Sequence, residues 1–589
     1  MTGEPPHQAG GSPPIPPTVR SALGQGRSRL APAAAAAPTF TTDRMNYDAS
    51  QAEAPVYEIN NAPPDQPILW TVDWNGTRVS TNQSYGYQTD GSGHWNGEGN
   101  PWQPEDAGFW RVQITVPDPS GDAFTAVQCF TVINGFPASG GTAADNLGVT
   151  HVGANYRFAG PGSPLGNGAV SSLVEGAQQI LNLGARRAFC YLTFQYKDSD
   201  YNGDDFGPGP INNLTDLAKA PPFQELFEQP FDTIILTVYT FASKAWILDR
   251  AQGDQSVNLD AAAETNEIAD LVTYLAQTYK GKKFIIKNWE GDWQLLEGYD
   301  PNGAVDQSRV DEFVSWMQAR QDGVNQGRQN GGAAADVIRH AIEVNLLDRA
   351  RRDMPCVLRD VAPRVLSGLI SYSSWETSNA HDSRRMQDAI AYIQGSPGVG
   401  NRDVMIGEYG IPNDPMDATA SADLAAVANG AIAMGVSAFY WAIYNTGAAS
   451  FGLVGPDFAH YPAWYALRDL LGGSQNAATV VDHNVPAAMT PGQQVTINVT
   501  LSNPGITWYQ SVGYYLGVLN ADGTSPVAWA WIPSDVANNG SVSFNADFAA
   551  PSLPGSYIFQ MVQHGIEAFG DAIKFQIDGA VPAIAASTG

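Results

Sequence analysis

The chain has 589 residues, of which 43% are hydrophobic and 15% are charged. A single hydrophobic core stops growing at roughly 250–300 residues, so this length predicts several domains. The hydrophobic fraction excludes a wholly disordered chain. Because the sequence has no run of about 18 apolar residues, no membrane insertion is predicted. The formal net charge of −28 disfavours nucleic acid and anionic membranes as partners, because both are polyanions.

The first 45 residues are rich in Pro, Ala, Gly and Ser and have no hydrophobic periodicity. This composition predicts a disordered tail. Its Ala/Pro stretch is a poor match to the apolar core of a secretory signal peptide. An extracellular or cell-surface location is therefore a hypothesis without a convincing signal peptide.

Residues 46–137 change to a period of two. Apolar and polar residues alternate through 111–116 and 124–132, with Gly, Pro and Asp between these segments, as in half-buried strands. No helical pattern intervenes, so a small β-sandwich is predicted. Trp95 and Trp102 lie in a Gly- and Asn-rich stretch, where they could stack on sugar rings or pack against a neighbouring domain.

From residue 138 to residue 473, short apolar strands alternate with amphipathic helices. Eight β/α alternations over about 330 residues are typical of a (β/α)₈ TIM barrel. A doubly wound open sheet would instead show a glycine-rich phosphate-binding turn after its first strand, where this chain has Gly153-Ala154-Asn155. The predicted strands are 147–152, 188–194, 233–238, 284–286, 340–344, 368–372, 404–406 and 436–441, with helices that include 264–279, 310–325 and 421–434.

Residues 474–580 return to alternating strands. About 100 residues of short strands with turns every 8–12 residues are typical of an immunoglobulin-like (Ig-like) sandwich. Trp529 and Trp531 share one face of a predicted strand, so they are either a carbohydrate-binding platform or a core or interdomain contact. The predicted architecture is a central barrel flanked by N-terminal and C-terminal β-sandwich domains.

Two carboxylates stand where predicted barrel strands end, which is where reactive residues cluster in this fold. Glu290 follows the fourth strand, and Glu408 follows the seventh strand with Gly407 and Gly410 beside it. Two carboxylates that face one cavity can act as general acid and nucleophile on a glycosidic bond, and their like charges push their pKa values apart. The two glycines are expected to allow a ligand to approach Glu408 closely.

With these strand-end glutamates, the barrel resembles the retaining glycoside hydrolases of clan A. The resemblance covers only residues 138–473, which are 336 of the 589 residues. It implies that Glu290 is the acid/base and that Glu408 is the nucleophile. It also implies an aromatic residue on strand six that holds the nucleophile, which Tyr372 fits, and a tryptophan at the end of strand eight, which Trp441 fits.

The sequence departs from the clan pattern at one position. In the clan an asparagine directly precedes the acid/base glutamate, whereas Trp289 separates Asn288 from Glu290. In a regular strand this extra residue points one of the two side chains to the opposite face. Either Glu290 acts without an asparagine in its usual role, or a bulge redirects the Glu290 side chain. Asp292 is the fallback candidate for the acid.

Further polar residues lie on the predicted fifth strand. Glu343 and Asn345 share one of its faces and would point to the barrel mouth. His151 and His340 are expected to be structural histidines. The full set of predicted substrate-binding residues is Asn288, Trp289, Asp292, Glu343, Asn345, Tyr372 and Trp441, and a solvated or salt-bridged structural role is the alternative for each.

No metal or nucleotide cofactor is predicted. The three cysteines, Cys129, Cys190 and Cys356, are too few and too scattered for a disulfide framework or a thiolate cluster, and the last two are expected to be buried and inert. The loop 198–205 begins like a calcium loop, but Gly209 occupies its twelfth position, so an EF-hand is excluded. A structural Ca²⁺ or a solvated loop remain as alternatives there.

The sequence thus predicts a retaining glycoside hydrolase that acts on a neutral carbohydrate. Two accessory modules favour a polymeric substrate, because added modules raise the effective concentration of the enzyme on a polymer. A catalytically inactive barrel scaffold, with sandwiches that bind glycan or protein, is the alternative. The sugar, the linkage, endo or exo cleavage, and the oligomeric state are left open.

Overall fold

The structure of the chain is a computed structural model. All structural statements below concern the residues it describes, which are 37–136, 141–152, 171–201, 204–251, 256–378, 382–400, 402–411, 419–444, 451–455, 460–472, 476–505, 507–508, 513–524, 527–563 and 567–578. Three regions follow each other along the chain: two antiparallel-rich sheets, a closed parallel barrel and two further sheets.

The N-terminal region contains two sheets, with strand orders β1-β3-β6 and β2-β8-β7-β4-β5. Their inner faces pack Tyr47, Ile59 and Ile114 into a separate hydrophobic core. The predicted tail is wrong for residues 39–42, which form β1 and pair with β3. The strands are β1 Thr39–Thr42, β2 Asn46–Asp48, β3 Val56–Asn60, β4 Pro67–Trp74, β5 Thr77–Gln88, β6 Trp95–Glu98, β7 Gly108–Val116 and β8 Phe124–Ile133.

The tryptophans of this region pack within their own domain. Trp95 lies 5.6 Å from Trp70, and Trp102 lies 4.8 Å from Trp110, measured between ring centroids. Both rings are half-buried against the N-terminal core. Packing therefore decides their position, and their neighbours are residues of the same domain.

The central region is a closed barrel of eight parallel strands, so the predicted TIM barrel is confirmed. Each strand pairs with the next in the chain, and the last pairs with the first. Such strands are buried on both faces, which explains why they appear in the sequence as short apolar runs. The strands are β9 Leu147–His151, β10 Arg187–Thr193, β11 Thr233–Tyr239, β12 Lys283–Lys287, β13 Ile338–Val344, β14 Leu369–Ser373, β15 Asp403–Tyr409 and β16 Ala438–Tyr440.

Helices between these strands cover the outside of the barrel. Several begin at a side chain that caps the first backbone N–H groups, such as Ser171, Asp260 and Asp306. The helices are α1 Ala143–Asn146, α2 Ser172–Asn182, α3 Leu214–Ala218, α4 Pro221–Glu228, α5 Lys244–Ala251, α6 Ala261–Thr278, α7 Gly291–Leu296, α8 Gln307–Gly331, α9 Leu347–Arg351, α10 Trp375–Ser378, α11 Ser383–Gly395, α12 Thr419–Ala433 and α13 Pro462–Leu470. Among the described residues, none of these helices combines the length and apolar character needed to cross a membrane.

The C-terminal region again contains two sheets, with orders β17-β19-β22 and β18-β24-β23-β20-β21. A register shift beside Gly517 separates the two tryptophans of β21, so their predicted common face is wrong. Trp529 packs on Phe548 and Phe559 in the core, whereas Trp531 is 43% exposed. The strands are β17 Thr479–His483, β18 Ala488–Met489, β19 Gln494–Ser502, β20 Tyr514–Asn520, β21 Val527–Trp531, β22 Ser541–Ala549, β23 Gly555–Gln563 and β24 Glu567–Ile577.

Polar contacts join both outer regions to the barrel. Arg351 donates to Thr42 in the N-terminal region, and Arg384 pairs with Glu53 at 2.8 Å. On the other side, the hydroxyl of Tyr514 donates to Asn182 at 3.1 Å. The three cysteines are free and buried, as expected for Cys190 and Cys356.

Candidate active site

The carboxyl ends of the barrel strands bring Glu290 and Glu408 together. Glu290 lies directly before α7, three residues after the end of β12, and Glu408 is the penultimate residue of β15. Both side chains are buried, each with about 1% of its residue surface exposed. The predicted pair therefore lies at one edge of the barrel, the edge that carries active sites in this fold.

The backbone at Glu290 explains how the extra residue in the clan pattern is accommodated. The backbone of Glu290 has φ +29° and ψ +69°, a conformation that residues other than glycine rarely adopt. Its N–H faces Glu343 Oε1 at 3.3 Å, and the N–H of Trp289 donates to the hydroxyl oxygen of Tyr239 at 3.1 Å. A left-handed residue, in place of the predicted bulge, thus redirects the chain after Trp289.

Asn288 is used by the barrel and not by the carboxylate pair. Its Oδ1 accepts the backbone N–H of Glu343 at 3.0 Å, which joins β12 to β13. The side chain is fully buried. Asn288 is therefore committed to the neighbouring strand.

A buried lysine that the sequence analysis did not single out lies beneath the two glutamates. Lys287 Nζ contacts Glu343 and lies 3.5 Å from Glu408 Oε1. Glu343 also accepts hydrogen bonds from the hydroxyls of Ser371, at 2.6 Å, and Ser373, at 2.5 Å. The available signal was the position of this lysine at the end of an apolar strand, where an unpaired charge would be costly.

Trp375 lies beside both carboxyl groups. Its indole side chain interacts with Glu290 and with Glu408. By strict hydrogen-bond geometry, neither carboxyl oxygen of Glu290 has a partner within the described residues. Oε1 of Glu408 likewise has no hydrogen-bond partner there, so both carboxyls of the pair have buried oxygens that a ligand could satisfy.

Burial raises the pKa of both glutamates. For Glu290 the negative charges of Glu408 and Glu343 add to burial, and the pKa lies well above its ordinary value. For Glu408 burial raises the pKa to about 8, with Lys287 lowering it and Glu343 raising it. Two neighbouring carboxyls in one buried site, of which only Glu408 lies within ion-pair distance of a cation, are suited to act as a proton donor and a nucleophile.

The two glycines near Glu408 make room for protein atoms. A Cβ on Gly407 would lie 2.1 Å from Ser371 Oγ and 2.8 Å from Glu343 Oε2. A Cβ on Gly410 would lie 3.0 Å from the ring of Trp375 and from that of Phe451. The space expected for a ligand is therefore occupied by the residues that surround Glu408.

Asp292 and Asn345 hold loops in place. The carboxylate of Asp292 accepts the backbone N–H groups of Asn345, Leu346 and Val357 at 2.7–3.0 Å. Asn345 Oδ1 in turn accepts the N–H of Asp292 at 2.8 Å. Because both oxygens of Asp292 are engaged by the backbone, the structure gives no support to Asp292 as the fallback acid or to either residue as a substrate contact.

The predicted aromatic residues fall into two groups. The hydroxyl of Tyr372 lies 3.2 Å from Thr377 Oγ1, and the contact with Glu408 expected of it is not found among the described residues. Trp441 is half-buried at the end of β16, 6.1 Å from Tyr191 between ring centroids. Trp289 and Trp441 keep part of their surfaces available at the barrel mouth, whereas Tyr372 is a core residue.

His151 and the acidic loop have structural surroundings, whereas both ring nitrogens of buried His340 lack a hydrogen-bond partner among the described residues. His151 lies 2.8 Å from the carbonyl of Ser172, and burial lowers its pKa to about 4. In the acidic loop, Asp200 accepts from Thr193 at 2.6 Å, and Asp204 caps α2. Within the described residues no three His, Cys, Asp or Glu side chains are grouped so that they could hold a metal ion.

Comparison with known proteins gives likeness of fold. No family model and no curated protein matches the chain. Solved structures that resemble it include a family 39 glycoside hydrolase from Bacteroides cellulosilyticus WH2 (10% identity, 87% of this chain, 99% of that chain, TM-score 0.37). Others are a GH5 xyloglucanase from Bacteroides ovatus (11%, 74%, 100%, 0.33) and a GH5-4 endoglucanase from Bacteroides salanitronis (16%, 57%, 96%, 0.35). These identities and TM-scores are low, so the fold is established by the closed eight-stranded barrel of the chain itself.

Proposed function

We propose that the protein is a retaining glycoside hydrolase in which Glu408 is the nucleophile and Glu290 is the acid/base. The observation that carries the proposal is the buried carboxyl pair at the ends of β12 and β15, with both Glu290 oxygens unsatisfied among the described residues. Lys287 lies next to Glu408, and the pKa of Glu290 is raised well above its ordinary value. These surroundings favour ionisation of Glu408 before that of Glu290.

In the first step, a carboxylate oxygen of Glu408 attacks the anomeric carbon and forms a glycosyl ester. The bond from that carbon to the leaving oxygen breaks, and Glu290 gives its proton to this oxygen. In the second step, Glu290 takes a proton from water, and the resulting hydroxide oxygen attacks the anomeric carbon. The ester bond breaks and Glu408 leaves as a carboxylate, so that two inversions give net retention.

Retention, and not inversion, is proposed because the two carboxyls share a neighbour. Retaining enzymes hold their carboxyls about 5–5.5 Å apart, whereas inverting enzymes leave about 6.5–9.5 Å for a water molecule. In this chain a single indole, that of Trp375, interacts with both carboxyls. A shared neighbour of this kind favours the shorter separation.

The proposed substrate is a neutral and polymeric glycan. Half-buried Trp289 and Trp441 offer apolar ring faces at the barrel mouth, on which sugar rings can stack. The net charge of −28 disfavours a polyanionic substrate. The two flanking sheet regions would be the modules that keep the barrel near its polymer, and an extracellular or cell-surface location suits such a substrate.

The test is release of reducing sugar from a panel of arabinans, β-glucans, mannans and galactans. Glu408→Gln is expected to lower kcat/KM by roughly 10⁴-fold, because the nucleophile is lost. Glu290→Gln is expected to cost about 10²–10⁴-fold on these substrates, and far less on an activated aryl glycoside that needs no acid. Asp292→Asn is the matched control for the choice of acid. Any decrease in kcat/KM that it causes should be the same on both kinds of substrate.

Two results would contradict the proposal. Hydrolysis that survives both glutamate variants would place the active site elsewhere. Glycan binding that is unchanged in both variants, with no hydrolysis by the intact protein on the panel, would favour the inactive scaffold. If proton NMR shows that the first product has inverted configuration, the protein is still a glycoside hydrolase, but its mechanism is a single displacement and not a double one.

A further inference from the structure

Lys287 is a fully buried cation beneath the carboxyl pair. Its Nζ lies 4.5 Å from the ring centroid of Phe189 and contacts Glu343 on the adjacent strand. Its side chain has no exposed surface. A charge in such a place is retained only when it is paired, so this lysine and its partners form one fixed unit.

Glu343 fixes the position of that cation. Ser371 donates to one carboxylate oxygen of Glu343 and Ser373 donates to the other. Gly407 leaves the space that this arrangement needs. The ammonium group is therefore held on one side by Glu343, and its other side lies 3.5 Å from Glu408.

The two glutamates at the barrel mouth differ in their relation to this cation. Glu408 lies within ion-pair distance of Lys287, whereas no ion pair within the described residues includes Glu290. At Glu290 the negative charges of Glu408 and Glu343 outweigh the opposing positive charge of Lys287. A single cation placed on one side of a pair of carboxyls makes the nearer carboxyl the easier one to ionise.

We propose that Lys287, held by Glu343, is the positioning residue that makes Glu408 the more readily ionised carboxyl of the pair and so assigns the nucleophile role to Glu408 and the acid role to Glu290. The inference rests on the proposed function, because these roles are those of a retaining hydrolase. Lys287 acts through Glu408 and is not given a contact with substrate. Its chemical effect is to place a fixed positive charge where the attacking carboxylate must be negative.

The other ionisable groups around the cluster come from several elements. Tyr191 on β10 faces Glu408 and Glu343, and Tyr239 on β11 faces Glu343. Asp200 lies near Tyr191, and Arg320 on α8 donates to the backbone carbonyl of Lys287. Burial raises the pKa of both tyrosines, so they are neutral at physiological pH and Lys287 is the cation in contact with Glu408.

The direct test is titration of the Glu408 carboxyl without any substrate. The intact protein is labelled with ¹³C at its glutamate carboxyls, and the Glu408 signal is identified by its loss in Glu408→Gln. In Lys287→Met, the midpoint of Glu408 is expected to rise by about 1–3 pH units, because an opposite charge at this distance has been removed. Lys283→Met is the matched control, since Lys283 begins the same strand and is exposed.

A second variant shifts the same midpoint in the opposite direction. Glu343→Gln removes a negative neighbour of Glu408 and leaves the charge of Lys287 to Glu408 alone. The midpoint of Glu408 is therefore expected to fall. This variant also keeps the test decisive if Lys287→Met does not fold.

The kinetic consequence is a displaced pH profile. On an activated aryl glycoside, which needs no acid, the low-pH limb of kcat/KM reports ionisation of the nucleophile. This limb is expected to move to higher pH in Lys287→Met and to return toward the parent position in Lys287→Arg. A lysine with a merely structural role would lower activity without moving this limb.

A Glu408 midpoint unchanged in folded Lys287→Met, or unchanged or raised in Glu343→Gln, would overturn the inference. The NMR titration reads the carboxyl and not the reaction. It therefore gives its answer even if hydrolysis survives Glu408→Gln and the proposed function itself fails.

Discussion

Two buried glutamates of the barrel, Glu264 and Glu290, differ in how their carboxyls are satisfied. Glu264 on α6 receives Arg320 at 3.0 Å and the indole N–H of Trp316 at 3.1 Å on one oxygen. Hydroxyls of Thr240 and Ser243 donate to its other oxygen. Glu290 is buried to a similar degree, but by strict geometry its oxygens have no partner within the described residues.

The difference separates a structural charge from one kept for chemistry. A buried carboxylate that receives a full set of donors can stabilise its surroundings, whereas an unsatisfied one costs free energy in the folded protein. Such a cost is retained where a function requires it. Lys287 connects the two cases, because Arg320 of the satisfied cluster also donates to its backbone carbonyl at 3.1 Å.

The largest effect on stability is expected from Glu264→Gln. This change leaves Arg320 buried without a negative partner, so the free energy of unfolding should fall by about 3–5 kcal/mol. Urea unfolding midpoints of parent and variant check this value. Glu228→Gln, on the exposed surface of α4, is the control and should leave the midpoint unchanged. Equal midpoints for both variants would remove the contrast with Glu290.

A smaller loss of stability is expected from Gly407→Ala. The added Cβ would collide with Ser371 Oγ and Glu343 Oε2, which should cost about 1–3 kcal/mol of stability. It should also lower hydrolysis, because Glu343 can no longer hold Lys287 against Glu408. Gly209→Ala is the matched control, since its Cβ would meet nothing within 4 Å. Full activity and stability in Gly407→Ala would show that the cluster is less tightly packed than the distances indicate.

The only gain in stability is expected from Glu290→Gln. The pKa of Glu290 in the folded protein lies above its ordinary value of 4.5, so the folded form holds a proton that the unfolded chain releases. Folding is therefore disfavoured progressively as the pH rises above 4.5. Removing the ionisable group should raise stability at pH 7 and leave it almost unchanged at pH 4.

Thermal unfolding midpoints at the two pH values measure this difference. Glu105→Gln, an exposed glutamate of the N-terminal region, should show no gain at either pH. A loss of stability in Glu290→Gln at pH 7 would mean that the Glu290 carboxyl is satisfied in the folded protein and would break the comparison with Glu264.

Most of the barrel could be predicted from the sequence. Strands buried on both faces must be apolar, so all eight were recognisable from their composition, and their alternation with helices indicated the closed fold. Glu290 and Glu408 were recognisable for a related reason, since each carboxylate interrupts an apolar strand at the end where a loop begins. Strand ends were less certain: β15 extends to Tyr409, three residues beyond the predicted end.

The partners of these carboxylates were decided by the tertiary structure. Lys287, Glu343 and Trp375 lie on three different elements, and only the closing of the barrel places them around the same pair. The role of Asp292 was equally hidden, because its ligands are backbone N–H groups that leave no mark in a sequence. Sequence alone determined the fold class and the two strand-end glutamates, because burial restricts residue type along a strand. The ion pairs and hydrogen bonds that distinguish Glu290 from Glu408 arise between strands, so only the folded barrel decided them.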